Sequence, residues 1–406
     1  MKNRLFAVAL GLLGVWGCAV AQAQIQLAGI TEVSGAGVAA GSSFKNGYLM
    51  GISEVNAAGG ILGQQLALTQ YDIDTNADAA KAAAAKAVAA SPKPFAILGP
   101  VFSSMTASAM SQTGESGIPH FTGGEAASLT RKFHPSLLRT SLSQLGSMPR
   151  LGALITHGVG ARKIGLIWVD NEFGHDGRAV LLPVLKRSGA TVEFDGPVKS
   201  GQKDFAQTVT GLKAAGVDAL LLYVNEGEAI GILKQLQAQG FDKPIVSDGL
   251  VAAQKVIDGA GSAIDGVLVH MNLSTELTGG PVQDFVSRYV ARYGARPDQN
   301  SMKGFIAVQT LKAGIEMAGK VDPALFLKTL KDKRLERKRY PELMSSVSYD
   351  YFGDLNRESY FAVIKGGASH IVATIRATDG GSVELLNGKQ IALNSNEFRS
   401  EIKASH

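Results

Sequence analysis

Short apolar runs separated by amphipathic stretches, repeated along almost the whole chain, leave it few folds to adopt. Residues 25–30, 65–71, 95–98 and 118–121 read as strands, with helices expected over 42–56, 77–90 and 103–115. Asp74, Thr75 and Asn76 introduce the second of these helices, and Pro92 stops it. Strand and helix alternating at this spacing give right-handed crossovers and a parallel sheet. The pattern restarts after Met148 with a helix to 158, then strands at 164–169, 191–195, 219–224, 244–247 and 267–270. Helices at 177–188, 204–215 and 228–239 separate them, so a second α/β unit follows the first. Three helices come next, at 282–293, 304–318 and 323–331, and the chain ends in strands at 346–351, 360–365 and 371–375. Helices that continue one unit and strands that finish the other imply a chain crossing between two lobes more than once.

A chain of 406 residues with 45% hydrophobic and 7% aromatic content has room for two ordinary domains and is globular. Lys2 and Arg4, an apolar run over 5–20 and Ala21-Gln22-Ala23 form a secretory signal peptide, cleaved ahead of Gln24. The run is shorter than the roughly 20 residues that a membrane span needs. Cys18, the one cysteine, sits in a poor lipoprotein-type box beside Trp16 and Gly17, so lipid anchoring is the minor alternative. Cleavage after Ala23 leaves an exported, periplasmic protein without thiol or disulfide, held by its own cores.

The formal charge of +5 falls to +3 once Lys2 and Arg4 are removed. Residues 328–339 carry seven bases against Asp332 and Glu336, a local +5 that leaves −2 for the rest of the mature chain. That is a basic patch on a near-neutral protein, which speaks against a nucleic-acid partner.

The stretch 95–106 carries the first chemistry. An apolar strand stops at Gly99-Pro100, and Ser103, Ser104 and Thr106 then open a helix. A helix N-terminus offers free N–H groups and a positive dipole end, so either an anion settles there or the hydroxyls cap the helix. Competing motifs fall short. Gly35-Ala36-Gly37 with Ala40 imitates a dinucleotide loop, but Asp72 lies 35 residues beyond Gly37 where an acid about 20 residues on is wanted. Asp72, Asp74 and Asn76 open like a calcium loop, yet Ala77 and Ala83 stand where its Gly and Glu belong. No hydrolase elbow or phosphate loop occurs, and the seven histidines are scattered, so neither enzyme chemistry nor a metal or cofactor is expected.

Several stretches taken together resemble the periplasmic leucine/isoleucine/valine-binding proteins, the solute receptors of branched-chain amino acid ABC importers. They are Val33-Ser34-Gly35, Val55-Asn56 running to Gly59-Gly60-Ile61, Tyr71-Asp72 with Asp74, Gly99-Pro100-Val101-Phe102-Ser103-Ser104 and Gly117-Ile118-Pro119. Asn171-Glu172-Phe173-Gly174, Asp204-Phe205, Leu212 to Asp218, and Asp350 with Gly353-Asp354 continue the series. The likeness spans about 25 to 367, and it is the order and spacing of these weak motifs that carry it.

The resemblance implies a type I periplasmic-binding fold, with two lobes of mostly parallel sheet flanked by helices and joined by three hinge crossovers. Residues 24–140 with 272–345 would form the N-terminal lobe, and 141–271 with 346–406 the C-terminal lobe. The crossovers are then expected near Thr140, Met271 and Ser345. A ligand would lie in the cleft, and hinge closure would present the closed form to the permease.

The same resemblance assigns Ser103 to a ligand carboxylate, with Ser104 beside it. In the loop after the fourth strand Glu125 or Ala126 replaces the family threonine; Glu125 is expected to point outward, leaving the Gly124 amide region to donate. On the second lobe Phe173 and Asn225 stand where tyrosines often cover the ligand, and Asp248 is near the acid that meets an α-ammonium. Ala40 replaces a further tyrosine. The implied function is a monomeric, non-catalytic receptor for an amino acid or other small carboxylate. An aromatic acid or amide, ligand sensing for a signalling partner and, more remotely, an exported NAD(P)-type α/β enzyme are the alternatives.

Overall fold

A computed structural model describes residues 24–132, 134–377 and 381–405; the leader, Cys18 and the start of the cleavage site lie outside them. The first sheet contains β1 (Ile25–Thr31), β2 (Leu66–Asp72), β3 (Ala96–Leu98), β4 (His120–Thr122) and β5 (Leu137–Arg139), all parallel, in the order β2-β1-β3-β4-β5. The sequence pattern gave four of these strands. The fifth is three residues long and ends on a buried arginine, so no apolar run announces it.

The helix Ala77–Ala89 starts where expected, because the Asn76 side chain accepts from Ala79 N–H at 3.0 Å. Its buried Ala80, Ala83, Ala84 and Ala87 form one helical face.

The second sheet holds β6 (Lys163–Asp170), β7 (Thr191–Lys199), β8 (Ala219–Tyr223), β9 (Ile245–Asp248) and β10 (Leu268–Met271), parallel in the order β7-β6-β8-β9-β10. This repeats the strand order of the first sheet. Between the two sheets' last additions the chain makes a small hairpin, β11 (Ser348–Tyr349) and β12 (Leu355–Asn356). Then β13 (Ser359–Lys365), β14 (Ala368–Ile375), β15 (Ser382–Leu385) and β16 (Gln390–Ala392) extend the second sheet antiparallel. A final helix, Asn396–Ser405, lays Phe398 and Ile402 against Gly158. β15, β16 and this helix are additions that the sequence pattern did not reveal.

The hairpin corrects the expected position of the third crossover. Tyr349 and Leu355 pack in the first-lobe core, and Gly353 O accepts from Arg139 N–H at 3.1 Å. The chain therefore leaves the first lobe between Asn356 and Ser359, past Ser345, and 348–356 belongs with the first sheet.

Glycine decides how the returning helix Gln299–Ala318 docks. A Cβ on Gly47 would lie 1.9 Å from Ser301 O, and one on Gly304 2.0 Å from Phe44 O. Helices Val38–Ala57 and Gln299–Ala318 thus touch backbone to backbone, with no room for any side chain at the crossing. This contact fixes Asn300 and Lys303 at the edge of the first lobe.

A pH effect follows from the buried imidazoles. His120 Nε2 meets Gly99 O at 2.7 Å, and Thr113 Oγ1 lies between His120 Nδ1 (3.0 Å) and His134 Nε2 (2.9 Å). Burial pushes His120 down to about 3 and His134 down to about 4. Below the ordinary histidine value of 6.5 the unfolded chain takes up protons that the folded chain refuses, so this contribution to stability is lost as pH falls. The loss for His120 is about 2–3 kcal/mol by roughly pH 4.5. Urea denaturation of wild type and His120→Gln at neutral pH and at roughly pH 4.5 checks it, since carboxyl contributions common to both proteins cancel. The wild-type advantage should shrink by about that amount; a constant difference would contradict it.

Candidate functional site

In a sheet ordered 2-1-3-4-5, the crevice opens at the carboxyl ends of the strands on either side of the reversal. In the first lobe that point lies between β1 and β3, and in the second between β6 and β8. Ser103, Glu125, Phe173, Asn225 and Asp248 stand at or just beyond the carboxyl ends of β3, β4, β6, β8 and β9.

Directly after β1, the fully buried Glu32 accepts from Val101 N–H at 3.2 Å and from Phe102 N–H at 3.1 Å. The chain's own carboxylate therefore occupies the turn ahead of helix Ser103–Thr113. Burial raises Glu32 to about 7 despite these bonds.

Ser103 does not cap its helix. Phe102 holds the cap position, without a side-chain bond, and Ser103 Oγ instead accepts from Glu125 N–H (3.2 Å) and Ala126 N–H (3.1 Å). With its oxygen committed to the loop, the hydroxyl keeps its proton for an acceptor. Ser104 is half-buried in the same first turn.

The Gly124 amide is not a free donor, contrary to expectation. Its N–H goes to Thr122 Oγ1 at 2.9 Å and its carbonyl accepts from Arg139 Nη1 at 2.7 Å. A Cβ here would come within 2.9 Å of Leu129 Cδ1 and 3.2 Å of Ser103 Cα, so a larger residue would require Leu129 to shift.

Glu125 turns inward, a second correction. Its Oε1 accepts from Ser141 Oγ and from Lys303 Nζ, both at 2.8 Å, and the Lys303 side chain is only 2% exposed. Lys303 also reaches Gly123 O at 3.3 Å. The physical reason is this buried ammonium, delivered by the returning helix; without it a carboxylate would face out.

On the second lobe the Phe173 ring stacks on Tyr223, with centroids 4.3 Å apart and planes at 20°. Asn225 is half-buried at the cap position of helix Glu226–Ala238 and makes no side-chain cap bond. Glu226 is buried, pairs with Lys255 and lies 3.4 Å from Asn300 Nδ2 of the first lobe. Asp248 is buried as well, with Oδ1 accepting from Leu250 N–H at 3.2 Å. Burial, and then the nearby Glu125 charge, push the Asp248 carboxyl well above the ordinary range.

The lobes meet around this site. Ser128 donates its N–H to Asp176 (2.7 Å) and its hydroxyl to Glu172 (2.8 Å), and Lys132 pairs with Glu172 at 2.7 Å. Gln144, fully buried, accepts from Ala127 N–H at 3.0 Å and donates to Phe173 O (2.7 Å) and Tyr223 Oη (2.8 Å). Asp248 and Glu125 thus come within electrostatic reach of one another from opposite lobes.

A family model described as periplasmic binding protein matches residues 24–368. The chain belongs to the periplasmic binding protein family. The Leu/Ile/Val-binding protein of Rhizobium johnstonii is 26% identical over 357 residues, covering 87% of this chain and 95% of its own. Among solved structures, a leucine-binding protein from Thermotoga maritima superposes with a TM-score of 0.78 at 20% identity, over 87% of this chain and 99% of that one. A solute-binding protein from R. palustris in complex with benzoate also gives 0.78, at 19% identity, over 87% and 96%. The two-lobed α/β fold expected from the sequence is thereby established for this periplasmic binding protein.

Sequence reasoning missed Glu32, Gln144, Tyr223, Glu226 and Lys303. A usable signal existed for Lys303, a lone lysine in a stretch otherwise apolar from Met302 to Val308. Among the described residues, no cluster of three or more His, Cys, Asp or Glu side chains could hold a metal ion, and no helix is long and apolar enough to cross a membrane.

Proposed function

We propose that this protein is the periplasmic receptor of an ABC importer and that its cleft takes a small zwitterionic amino acid. The observation that carries the reading is the charge balance of the enclosed site. Glu125 is paired with Lys303 and Glu226 with Lys255, whereas Asp248 has a backbone N–H and, among the described residues, no ion-pair partner, Lys303 acting on it only at longer range. A ligand ammonium beside Asp248 stabilises the carboxylate form that burial disfavours, and the Ser103 hydroxyl proton is available to the ligand carboxylate. An unsubstituted aromatic acid would add a second negative charge instead.

Phe173 and Tyr223 present a stacked aromatic wall suited to an apolar side chain, with Ser104 and Asn225 at the margins. Binding draws the lobes together, and the closed form delivers the ligand to the permease unchanged. The mature chain starts at Gln24 and acts as a monomer.

A thermal-shift series with leucine, isoleucine, valine and benzoate tests the ligand class. A ligand at 100 times its dissociation constant adds about 2.7 kcal/mol. At least one amino acid should raise the melting midpoint while benzoate does not. A shift with benzoate alone would overturn the reading.

A further inference from the structure

Arg139, Arg357 and Lys303 are the large cationic side chains buried most completely in the described chain. Two of them are paired with an acid. Arg139 Nε meets Asp354 at 2.6 Å, Nη1 meets Gly124 O at 2.7 Å, and Nη2 meets Ala126 O at 2.7 Å and Thr130 Oγ1 at 3.1 Å. Lys303 has Glu125. Arg357 is different. At 1% exposure, its Nε and Nη1 are enclosed with no hydrogen-bond partner.

The groups that act on Arg357 electrostatically are Tyr360, Glu358 and Tyr349. Burial keeps both phenols neutral, and the Glu358 carboxylate accepts the Tyr360 hydroxyl at 2.9 Å. A guanidinium does not shed its proton in a protein, and an unpaired buried cation is costly, so Arg357 calls for a counter-ion.

Its place in the fold adds to this. Arg357 lies where the chain leaves β12 and enters β13, the last passage between lobes. β12 runs antiparallel to β11, and β13 runs antiparallel to β10 with Tyr360 opposite Met271. Residues 345–347 lead into β11, the partner of β12, and residues 272–274 follow β10, the partner of β13. On those segments Ser345 Oγ and Asn272 Oδ1 are also buried without partners. At the same passage Arg150, buried and with no carboxylate on it, donates to Ser359 Oγ at 2.6 Å. Among the described residues no acid is ion-paired to Arg357 or to Arg150, and the Ser345 hydroxyl on the segment leading into β11 is idle.

We propose that Arg357 anchors an anion site enclosed in the interlobe passage, taking a small monovalent anion, either a halide or a carboxylate of formate size. The planar guanidinium offers a fork of donors suited to either, and the Ser345 hydroxyl is one more donor on the neighbouring segment. The inference stands apart from the cleft ligand, since none of these residues belongs to the Ser103–Asp248 site.

Melting curves of the mature protein without cleft ligand, in sodium chloride, sodium formate and sodium gluconate at equal ionic strength, test it. Gluconate is too bulky to be enclosed. The midpoint should rise saturably with chloride or with formate relative to gluconate, and Arg357→Met should melt alike in all three. A rise with chloride alone identifies a halide site, and one with formate alone a carboxylate site; both support the proposal. Identical wild-type midpoints in the three salts would overturn it, as would a salt effect that persists in Arg357→Met. If that variant does not fold, chloride NMR line broadening by the wild type, reversed by formate, gives the same decision. Absence of broadening together with equal midpoints would sink the idea.

Discussion

Lys303→Met is expected to destabilise the protein by about 3–5 kcal/mol, the cost of breaking a buried ion pair from one side. Methionine keeps the length of the side chain and its packing in helix Gln299–Ala318. What remains is Glu125, enclosed in the same loop and facing Asp248 across the cleft with no cation between them. Removing the second charge should restore much of the loss, because two neutral groups of similar shape carry no desolvation debt. The double variant Lys303→Met with Glu125→Gln is therefore expected to be more stable than Lys303→Met alone. Urea denaturation of the wild type, the two single variants and the double variant closes the cycle. A single-variant loss under about 1 kcal/mol would mean that the pair is solvated and the site open.

Ser103→Ala is expected to lower both stability and affinity. The hydroxyl oxygen accepts two N–H groups of the loop, from Glu125 and Ala126, and both are left buried and unsatisfied without it. Each orphaned donor costs about 1–3 kcal/mol. Loss of the hydroxyl proton as a donor to a carboxylate costs a further 1.5–3 kcal/mol or so in binding, about tenfold to a hundredfold in affinity. A residue that only capped its helix would show about 1 kcal/mol of stability loss and no change in binding. Chemical denaturation and calorimetry on the same preparation separate the two effects. Stability within about 0.5 kcal/mol of wild type would contradict the loop-holding geometry.

The parts of the fold legible in the sequence were those with local signals. β3 and its Gly99-Pro100 stop, the alanine stripe after Asn76 and the restart after Met148 are all set by neighbours in the chain. The strand Leu137–Arg139 had no such signal, since its buried arginine depends on Asp354 more than two hundred residues on. The hairpin at 348–356 looked like part of the closing strands, yet its Tyr349 hydroxyl reaches back to Arg139 O.

The site divides the same way. Ser103, Phe173, Asn225 and Asp248 stand at or just beyond the carboxyl ends of their strands, where a parallel sheet places its ligand contacts. The orientation of Glu125 was unreadable because its partner Lys303 is 178 residues away, and the Gly124 amide was unreadable because Thr122 captures it from within the loop. Which residues stand at strand ends follows from local pattern, whereas which way a charge points there depends on what the far end of the chain brings.

The central claim is that the cleft reads both charges of an amino acid, the ammonium through Asp248. Calorimetric titration decides it, using whichever of leucine, isoleucine and valine binds most tightly and the carboxylic acid of the same skeleton without its amine. Wild-type protein should bind the amino acid at least tenfold to a hundredfold more tightly, the worth of about 1.5–3 kcal/mol for a charge-assisted contact. In Asp248→Asn that gap should collapse. Equal affinity of the wild type for the two compounds, or a gap that survives in Asp248→Asn, would contradict it.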